Sequence, residues 1–379
     1  MSAPLYVDTA PELAAFVSAV RREPEARVGV DTEAASFHRY RDRIYLLQIS
    51  SPAQTAVIDP VAITDLSPIG ALLADPQLEK TLHDADYDLR VLDRDYGFRA
   101  VRLFDTRIAA QLAGEPAIGL AALLEKYIGV KLDKEHQKAD WSIRPLTPSM
   151  LAYAAADTRY LLALRDALEQ RLAALGRLPW AQEEFTHLES LRWTGVLPGT
   201  DDASYLRLKG AKGLSPRSLA ALQLLHRWRD AVAERDDKAP FRIIGNDALV
   251  GVSRAMPATR ADLARIRELP NSLARRHGDA LLDAVARARA LDERALPKLA
   301  RQPRPQKDPG FDARLEKMKE ARNRIARELG LEPGLLGGRT TLEAVIRAKP
   351  ENRAALGQLG GLRRWQVDVL GDALLEALR

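Results

Sequence analysis

The chain has 379 residues, 46% of them hydrophobic and 29% charged, which is typical of a soluble protein with two or three folded domains. It contains no cysteine, so disulfides and thiolate metal sites are excluded. No apolar run approaches the roughly 18 residues of a membrane helix. Residues 1–10 also lack a basic region followed by an apolar block. We therefore expect a cytoplasmic location, without membrane contact or a secretory signal.

The charges divide unevenly along the chain. Residues 1–205 contain 22 Lys and Arg against 30 Asp and Glu, a net charge of −8. Residues 206–379 contain 35 against 22, a net charge of +13. The division favours an acidic part with metal ligands, joined to a basic part that meets a polyanion such as nucleic acid. Arginine-rich helix faces in water would give the same count, so composition alone leaves both interpretations open.

The first 60 residues predict one helix and three strands. Thr9 and Glu12 have the spacing of a capping box at a helix start. Four apolar residues recur at helical spacing after it: Leu13, Phe16, Val17 and Val20. Strands follow at residues 27–33, 44–50 and 55–59, and the polar segment 51–54 predicts a hairpin turn between the last two.

Beyond residue 60, short strands alternate with helices. A helix is predicted at residues 68–74, and strands are predicted at 80–83 and 101–104. Asp84 and Asp105 are the predicted caps of the helices after these strands, and Thr147 caps a long helix that ends near Leu175. Hairpin-like strands followed by this alternation predict an α/β fold, with a mixed sheet flanked by helices. Other α/β arrangements stay open on pattern alone.

Helical periods dominate from about residue 180, and two basic blocks repeat at a shift of 93 residues. The matched pairs include Pro240 and Pro333, Leu249 and Leu342, Arg254 and Arg347, Arg260 and Arg353, and Asp279 and Asp372. A long match without a gap predicts two copies of one small helical module. The segment 297–310 holds four prolines and has linker composition. We predict domains at residues 1–200, 205–295 and 311–379, with the linker at 296–310.

Four acids and one tyrosine form the candidate site. Asp31 and Glu33 end a predicted buried strand and share one face, because side chains at i and i+2 of a strand point the same way. Adjacent carboxylates repel, which favours a divalent cation between them, although an acidic surface turn would have the same sequence. Asp88 lies one turn into a predicted helix. Tyr153 and Asp157 share a helix face across three alanines, a pattern that a plain amphipathic helix would also give.

The order of these residues resembles that of the DEDD family of 3′→5′ exonucleases, in its tyrosine branch, and within it the ribonuclease D type. Further motifs that carry the resemblance are Leu47-Gln48, His83 with Asp88-Leu89, Phe104-Asp105-Thr106, Leu132-Asp133, Asp140-Trp141, Arg144-Pro145 and Tyr160-Leu161. Together they cover roughly residues 5–175. The two repeated modules resemble HRDC domains, and ribonuclease D proteins carry two such modules.

The resemblance implies a ribonuclease H-like mixed sheet followed by two all-α HRDC-like domains. It implies that Asp31, Glu33, Asp88 and Asp157 hold two divalent cations, Mg²⁺ or Mn²⁺, for two-metal phosphodiester hydrolysis. It also implies that Tyr153 is the fifth catalytic residue. With an ordinary pKa of about 10, it is expected to orient the attacking water rather than to remove its proton. Attack from the 3′ end would release nucleoside 5′-monophosphates.

Four further residues are expected to contact the substrate: His83, Gln48, Trp141 and Arg144. His83 could bind a phosphate or the terminal ribose, and Trp141 and Arg144 could line the path of the strand. Three of the four have a structural alternative. His83 could be a satisfied strand-end histidine, Gln48 a brace for the motif loop, and Trp141 a packed core residue.

The chain departs from the family pattern directly after the motif glutamate. An aromatic residue often follows it in the family, whereas this chain has Ala34, with Phe37 three residues later. Contacts to the terminal base are therefore expected to differ. Ala152 occupies the position of the histidine that defines the other branch of the family, so Tyr153 fits the tyrosine branch.

The sequence thus predicts a monomeric, cytoplasmic exoribonuclease that trims RNA 3′ ends, such as those of transfer RNA precursors and other structured RNA. A DNA 3′→5′ exonuclease of the proofreading or repair type stays open, because the acids do not read the 2′-hydroxyl. An RNA-binding scaffold with an inactive nuclease domain is disfavoured, since all four acids and the tyrosine are present. The basic modules predict RNA binding that weakens steeply with salt.

Overall fold

The computed structural model describes residues 3–133, 135–195, 201–297 and 308–379. They form two compact units. One unit combines an α/β domain, which ends at Trp193, with the second helical module, residues 308–379. The other combines the first helical module, residues 201–297, with the short segment Ala35–Arg43. The predicted linker falls largely on residues 298–307, outside the described residues.

A mixed sheet forms the centre of the α/β domain. Its strands are β1 Leu5–Val7, β2 Arg27–Ala34, β3 Ile44–Ser50, β4 Thr55–Ile58, β5 Glu79–Leu82 and β6 Leu103–Asp105. Their order across the sheet is β1-β4-β3-β2-β5-β6. β2 lies in the middle, antiparallel to β3 and parallel to β5. β3 and β4 form an antiparallel hairpin, and the outer strands β1 and β6 pair in parallel with β4 and β5. The predicted mixed sheet is therefore confirmed.

Helices cover both faces of this sheet, since all seven residues of β3 are buried. They are α1 Ala10–Arg22, α2 Ser67–Leu73, α3 Asp86–Tyr96, α4 Thr106–Leu112, α5 Leu120–Ile128, α6 Pro148–Arg159, α7 Leu161–Ala174 and α8 Leu178–Glu189. The four apolar residues predicted on one face of α1 are all buried. The predicted capping box is wrong in detail, because the Thr9 hydroxyl bonds to the Glu12 carboxylate at 2.8 Å and not to the backbone.

The long helix predicted from Thr147 to about Leu175 is interrupted at Tyr160, which separates α6 from α7. The interruption lies beside Thr158, whose hydroxyl is 2.7 Å from the Ser50 hydroxyl on β3. The helix thus ends next to a tertiary contact, where helical periodicity alone predicts continuity. Strand β1 was not predicted either, because three residues give too short an alternation.

The cap predicted at Asp84 is wrong. Helix α3 begins at Asp86, and Asp84 has a positive φ of 65°. The N–H of Ala85 instead donates to the Asp105 carboxylate at 2.7 Å. Asp105 also caps its own helix α4, as predicted, so one buried carboxylate serves two helix starts.

The two helical modules have matching elements. The first contains α9 Pro216–Arg235, α10 Pro240–Ile243, α11 Asn246–Ala255, α12 Arg260–Ala264 and α13 Asn271–Ala290. The second contains α14 Phe311–Leu329, a 3₁₀ turn Pro333–Leu336, α15 Arg339–Ala348, α16 Arg353–Gln358 and α17 Arg364–Leu378. Ion pairs Arg260–Asp279 and Arg353–Asp372 occupy equivalent places at 2.6 and 2.5 Å. The predicted repeat is therefore present in three dimensions. Within the described ranges, no helix has the length and apolar character to cross a membrane.

The second helical module shares a hydrophobic core with the α/β domain. Trp180 of α8 stacks on Trp365 of α17, with ring centroids 4.9 Å apart and an interplanar angle of 16°. The indole N–H of Trp365 donates to Glu184 at 2.9 Å. Glu183 accepts the backbone N–H groups of Arg364 and Trp365 at 2.7 and 3.1 Å, so a carboxylate of α8 caps the start of α17.

Candidate active site

Strand β2 carries two of the predicted acids near its carboxyl end. Asp31 and Glu33 lie on the same face as Gly29, and α6 and α7 pack on that face. A Cβ on Gly29 would lie 2.8 Å from the Thr158 carbonyl oxygen, so glycine lets α6 approach the strand closely. The neighbour of Thr158, Asp157, is thereby brought to the strand end. The pairing of β2 with β3 shifts directly after Glu33, and such bulges re-aim side chains next to functional sites.

Three of the four predicted acids form one cluster. Asp31, Glu33 and Asp157 each offer a carboxylate oxygen, and these three atoms all lie within 4.8 Å of one another. Oxygens at this separation fit around one divalent cation, whose bonds to oxygen are about 2.0–2.6 Å long. The fold therefore joins acids from two distant segments of the chain.

These carboxylates are difficult to ionise without a positive partner. Burial, followed by the charges of Asp88 and Asp157, raises the pKa of Asp31 well above its ordinary value. Burial and the charges of the same two acids raise the pKa of Glu33. Burial raises the pKa of Asp157 to about 7. A cation between these acids would offset that cost by stabilising their ionised forms.

Asp88, the fourth predicted acid, lies in the first turn of α3 and is buried. It is outside the three-residue cluster, and its Oδ1 accepts a hydrogen bond from the Thr32 hydroxyl, between the two acids of β2. Burial raises the pKa of Asp88 to about 7, and the hydrogen bond from Thr32 opposes that rise. Its charge nevertheless raises the pKa of Asp31, so Asp88 is near enough to interact electrostatically with the cluster.

Tyr153 lies on α6, one turn before Asp157. Its ring contacts His136 edge to face, with centroids 5.9 Å apart, and Trp141 at a tilt, with centroids 6.0 Å apart. Burial, followed by the charges of Asp157 and Glu33, raises the pKa of Tyr153 far above its ordinary value. The hydroxyl therefore stays protonated and is available as a hydrogen-bond donor.

A cavity of about 240 Å³ lies beside Tyr153 and Asp157. Its other lining residues are Leu132, Asp133, Glu135, His136, Ser149, Ala152 and Ala156. Of the three alanines predicted to leave this face of α6 open, Ala156 lines the cavity, whereas Ala154 and Ala155 are buried. His136 Nε2 lies 3.1 Å from the Ser149 hydroxyl, which fixes the imidazole against the ring of Tyr153. Of the four predicted acids, Asp157 lines this cavity, together with Tyr153.

Gln48 on β3 pairs directly with Asp31 on β2, so the two side chains lie on the same face of the sheet. Its side chain is 0% exposed and cannot touch an RNA strand. In the part of the chain that the structure describes, no protein group hydrogen-bonds to its Oε1 or Nε2. A buried amide without a partner costs about 1–3 kcal/mol. A hydrated cation at the neighbouring acids would supply the missing partner.

His83 follows β5 and is held by the protein. Its Nδ1 lies 2.9 Å from the Thr106 hydroxyl, which itself donates to the Leu82 carbonyl at 3.0 Å. Since that hydroxyl hydrogen is used, Nδ1–H of His83 is the donor and Nε2 is an acceptor in the neutral ring. Burial lowers the pKa of His83 to about 4, so a cationic contact to a phosphate is disfavoured near neutral pH.

Trp141 and Arg144 belong to the loop before α6. Trp141 is 1% exposed and packs on Tyr153, so it offers no face for stacking on a base. Arg144 donates to the Asp59 carboxylate at 2.5 Å and to the Tyr45 carbonyl at 2.9 Å. These contacts fasten the loop to the sheet, and they give no support to the prediction that the two residues line the path of the strand.

The donors present fit a divalent cation of the hard type. The acids supply only oxygen, which Mg²⁺ and Mn²⁺ prefer, and a cation would stabilise their ionised forms against burial and mutual repulsion. The orphan amide of Gln48 adds a polar group that a hydrated ion would satisfy.

Sequence reasoning missed Thr32, His136 and Ser149. Thr32 stands between the two motif acids, and its position was the available signal for a role beside Asp88. No spacing connects His136 or Ser149 to the acids, because a loop and a helix start meet only in the fold. Such contacts require the tertiary structure.

Comparison with known proteins agrees with this geometry. Residues 4–173 match a 3′-5′ exonuclease family, and residues 218–285 and 311–378 match the HRDC domain. Ribonuclease D of Escherichia coli is 33% identical over 382 residues, which cover 98% of each chain. Ribonuclease D of Gluconacetobacter diazotrophicus is 31% identical, with 98% of this chain and 92% of the relative covered. The crystal structure of the Escherichia coli enzyme matches with a TM-score of 0.71 at 31% identity, covering 100% of this chain and 99% of that one.

A mixed sheet with carboxylates clustered at its central strand, followed by two HRDC domains, defines a 3′→5′ exonuclease that depends on divalent metal. The likeness over almost the whole chain goes further: the chain belongs to the ribonuclease D family. It is a hydrolase, a 3′→5′ exoribonuclease, and this reading is favoured over the DNA exonuclease alternative.

Proposed function

We propose that the chain trims the 3′ ends of structured RNA, such as transfer RNA precursors, by two-metal hydrolysis that releases nucleoside 5′-monophosphates. The observation that carries the proposal is the cluster of Asp31, Glu33 and Asp157, with Asp88 buried close to it. The Escherichia coli relative is an exoribonuclease involved in structured RNA processing. That relative supports the same class of substrate for this chain.

Asp31, Glu33, Asp88 and Asp157 would hold two Mg²⁺ or Mn²⁺ ions. When bound, the ions would acidify the attacking water and stabilise negative charge on the leaving 3′ oxygen. The chain contributes a fixed set of carboxylates from β2, α3 and α6. Thr32 occupies Oδ1 of Asp88, which leaves Oδ2 of that residue for the site.

Tyr153 would position the attacking water or the scissile phosphate through its neutral hydroxyl. Its raised pKa argues against proton removal, and the rings of His136 and Trp141 hold it in place. Gln48 and Arg144 would support the site rather than bind RNA, because the first is buried beside Asp31 and the second is bonded to protein acceptors.

The proposed catalytic groups all come from one chain, which supports action as a monomer. Precursor RNA is processed where it is made, which supports a cytoplasmic location. Sedimentation at working concentration would test the first point: a monomer retaining full activity is expected, and activity confined to a larger species would contradict it.

One assay tests the activity and its polarity. RNA and DNA of the same sequence, each labelled at the 5′ end, are incubated with Mg²⁺ or with EDTA. We expect a metal-dependent ladder that shortens the RNA from its 3′ end, while the DNA stays intact. Shortening of DNA at an equal rate would support the alternative exonuclease, and no shortening of either polymer would exclude both.

Asp31→Asn tests the metal assignment in the same assay. Loss of one ligand charge should slow cleavage by at least about a hundredfold, the equivalent of several kcal/mol of lost stabilisation. RNA binding measured in EDTA should stay near that of the unaltered protein. Asp65→Asn, at an exposed loop carboxylate remote from the cluster, is the matched control. Cleavage that survives Asp31→Asn would show that the metal ligands are assigned wrongly.

A further inference from the structure

Two phenylalanines are exposed side by side on the unit that contains the first helical module. Phe37 is 59% exposed and Phe241 is 51% exposed. Their rings meet edge to face, with centroids 6.2 Å apart and an interplanar angle of 78°. Phe37 belongs to the segment Ala35–Arg43, and Phe241 belongs to α10. Adjacent exposed rings form an apolar patch, which is typical of an interaction surface.

The segment that carries Phe37 is fastened to the first helical module. Arg242 donates to the backbone carbonyl of Phe37. Asp237 accepts the backbone N–H of Tyr40 at 3.3 Å, and the Tyr40 side chain is buried in the core of the module. The two exposed rings are therefore held in place before any partner binds.

The segment that carries Phe37 is rich in arginine. Residues 35–43 contain three arginines against one aspartate. Arg39 and Arg41 pair with Asp237 and Glu234 at 3.3 and 3.4 Å, and all four side chains are partly or largely exposed. Exposed ion pairs of this kind contribute little to stability, so a phosphate can replace the carboxylate at small cost. The charge of the patch is therefore complementary to a nucleic acid backbone.

The second helical module lacks this feature. At the repeat shift of 93 residues, Phe241 and Arg242 correspond to Gly334 and Leu335. The aromatic pair is thus not a requirement for packing the shared module, since the second copy folds without it. It belongs to the first copy alone, together with the segment that carries Phe37.

We infer that the Phe37–Phe241 pair is a stacking platform for bases of single-stranded RNA, with Arg39, Arg41 and Arg242 binding the adjacent phosphates. Aromatic rings stack on any base and neighbouring cations follow the backbone, which suits an enzyme that must hold a strand of changing sequence. Phe37 follows the motif residue Glu33 by four positions in the chain. The inference rests on the proposed action on RNA. It adds an RNA-binding site to the one formed by the metal cluster.

Fluorescence anisotropy of 5′-labelled oligoadenylate measures the affinity for single-stranded RNA. The measurement is made in EDTA, in which no cleavage occurs. Phe37→Ala and Phe241→Ala should each weaken binding about fivefold or more, as expected for one lost stacked base. Phe37→Trp should retain the affinity, because its indole also stacks. Leu359→Ala in the second module removes a side chain that is 40% exposed, and as the matched control it should leave binding unchanged. Melting curves verify that each variant folds.

Abasic RNA of the same length separates stacking from phosphate contact. The unaltered protein and Phe37→Ala should bind it equally, because it keeps the phosphates and lacks the bases. The platform would be overturned if the unaltered protein and Phe37→Ala bound oligoadenylate with equal affinity. It would also be overturned if Phe37→Ala lost the same affinity for oligoadenylate as for abasic RNA. Failure of the unaltered protein to bind or shorten RNA would instead overturn the proposed function, so the two failures are distinguishable.

Discussion

The ionised carboxylates of the site destabilise the folded protein when no cation is bound. The pKa values of Asp88 and Asp157 are raised by burial to about 7, from ordinary values of 3.8 in the unfolded chain. The folded protein therefore binds protons more tightly than the unfolded chain between these two values. In the absence of metal, the contribution of these two groups to folding stability is fully present below about pH 4. That contribution is lost as the pH rises through about 7. Cation binding requires the ionised forms, so it has the opposite dependence.

We predict that the melting temperature of the metal-free protein falls between pH 5 and pH 8. Mg²⁺ or Mn²⁺ should raise that temperature more at pH 8 than at pH 6, because the cation no longer displaces protons. Asp157→Asn should flatten the metal-free profile, since one raised pKa is removed. Differential scanning fluorimetry of both proteins in EDTA and in metal measures the effect. A metal-free profile that rises between pH 5 and pH 8, with no difference between the proteins, would contradict the linkage.

Gln48 provides a second prediction at the scale of single residues. Its buried amide has no protein partner among the described residues and lies opposite Asp31, so we expect it to bond to the hydrated cations. Gln48→Leu should keep or raise the metal-free melting temperature, because it removes an unsatisfied polar group. The temperature rise that Mg²⁺ produces should shrink, and metal affinity should fall about tenfold or more.

Thr81→Val is the matched control for Gln48→Leu. Thr81 on β5 also has a buried hydroxyl without a protein partner in the described chain, and it pairs with Gly29 rather than with an acid. Its removal should leave the response to Mg²⁺ unchanged. If Gln48→Leu loses stability without metal and responds to Mg²⁺ normally, the amide is a structural brace and the expectation is wrong.

At the scale of elements, hydrophobic periodicity and capping residues were sufficient to predict most helices and strands of the α/β domain. The buried face of α1, the hairpin of β3 and β4, and the Asp105 cap of α4 all depend on local residues, and all are confirmed. Asp84 failed as a cap because the Asp105 carboxylate, distant in sequence, already accepts the N–H of Ala85. The long helix broke where Thr158 meets Ser50 of β3. Each error arises from a contact between segments that no local pattern contains.

The site also combines features that local sequence predicts with features that depend on contacts between distant segments. The strand and helix spacings that placed Asp31, Glu33 and Asp157 on common faces are local, and the fold brings these three together. The burial of Trp141 and of Gln48 depends on neighbouring strands and helices, so the sequence left a substrate contact and a structural role open for each. Roles that depend on a side chain being accessible cannot be predicted from spacing alone.

The contact between α8 and α17 gives a prediction about two elements. Trp365→Ala removes the stack on Trp180 and the bond to Glu184, and truncation of a buried tryptophan costs about 3–5 kcal/mol. Because the second module shares its core with the α/β domain, the whole unit should melt earlier in one transition. Calorimetry measures this, with Leu359→Ala as the surface control, expected within about 0.5 kcal/mol. A separate early transition, with the rest of the unit unchanged, would show that the module folds independently.

At the scale of the whole molecule, the two helical modules share a fold and differ in their surfaces. Trp365, which anchors the second module to the α/β domain, corresponds to the exposed Ser272 at the start of α13 in the first. The basic pair Arg275 and Arg276, exposed on α13, corresponds to Asp368 and Val369 in α17. The second copy therefore packs on the α/β domain through a tryptophan, and the first has an exposed basic pair on the equivalent helix.

This difference predicts which module sets the salt dependence of RNA binding. The double variant Arg275→Ala with Arg276→Ala should reduce the slope of log affinity against log salt by about 1.4, since each lost phosphate contact on single-stranded RNA changes it by about 0.7.

The control on the second module is Lys317→Ala with Arg324→Ala, two exposed cations of α14, which should leave the slope unchanged. Titration of labelled RNA in EDTA at several salt concentrations measures both. Equal slopes for the two double variants would show that the modules contribute alike. A larger change for the second would reverse the assignment, because the anchored copy would then be the one that holds the phosphates.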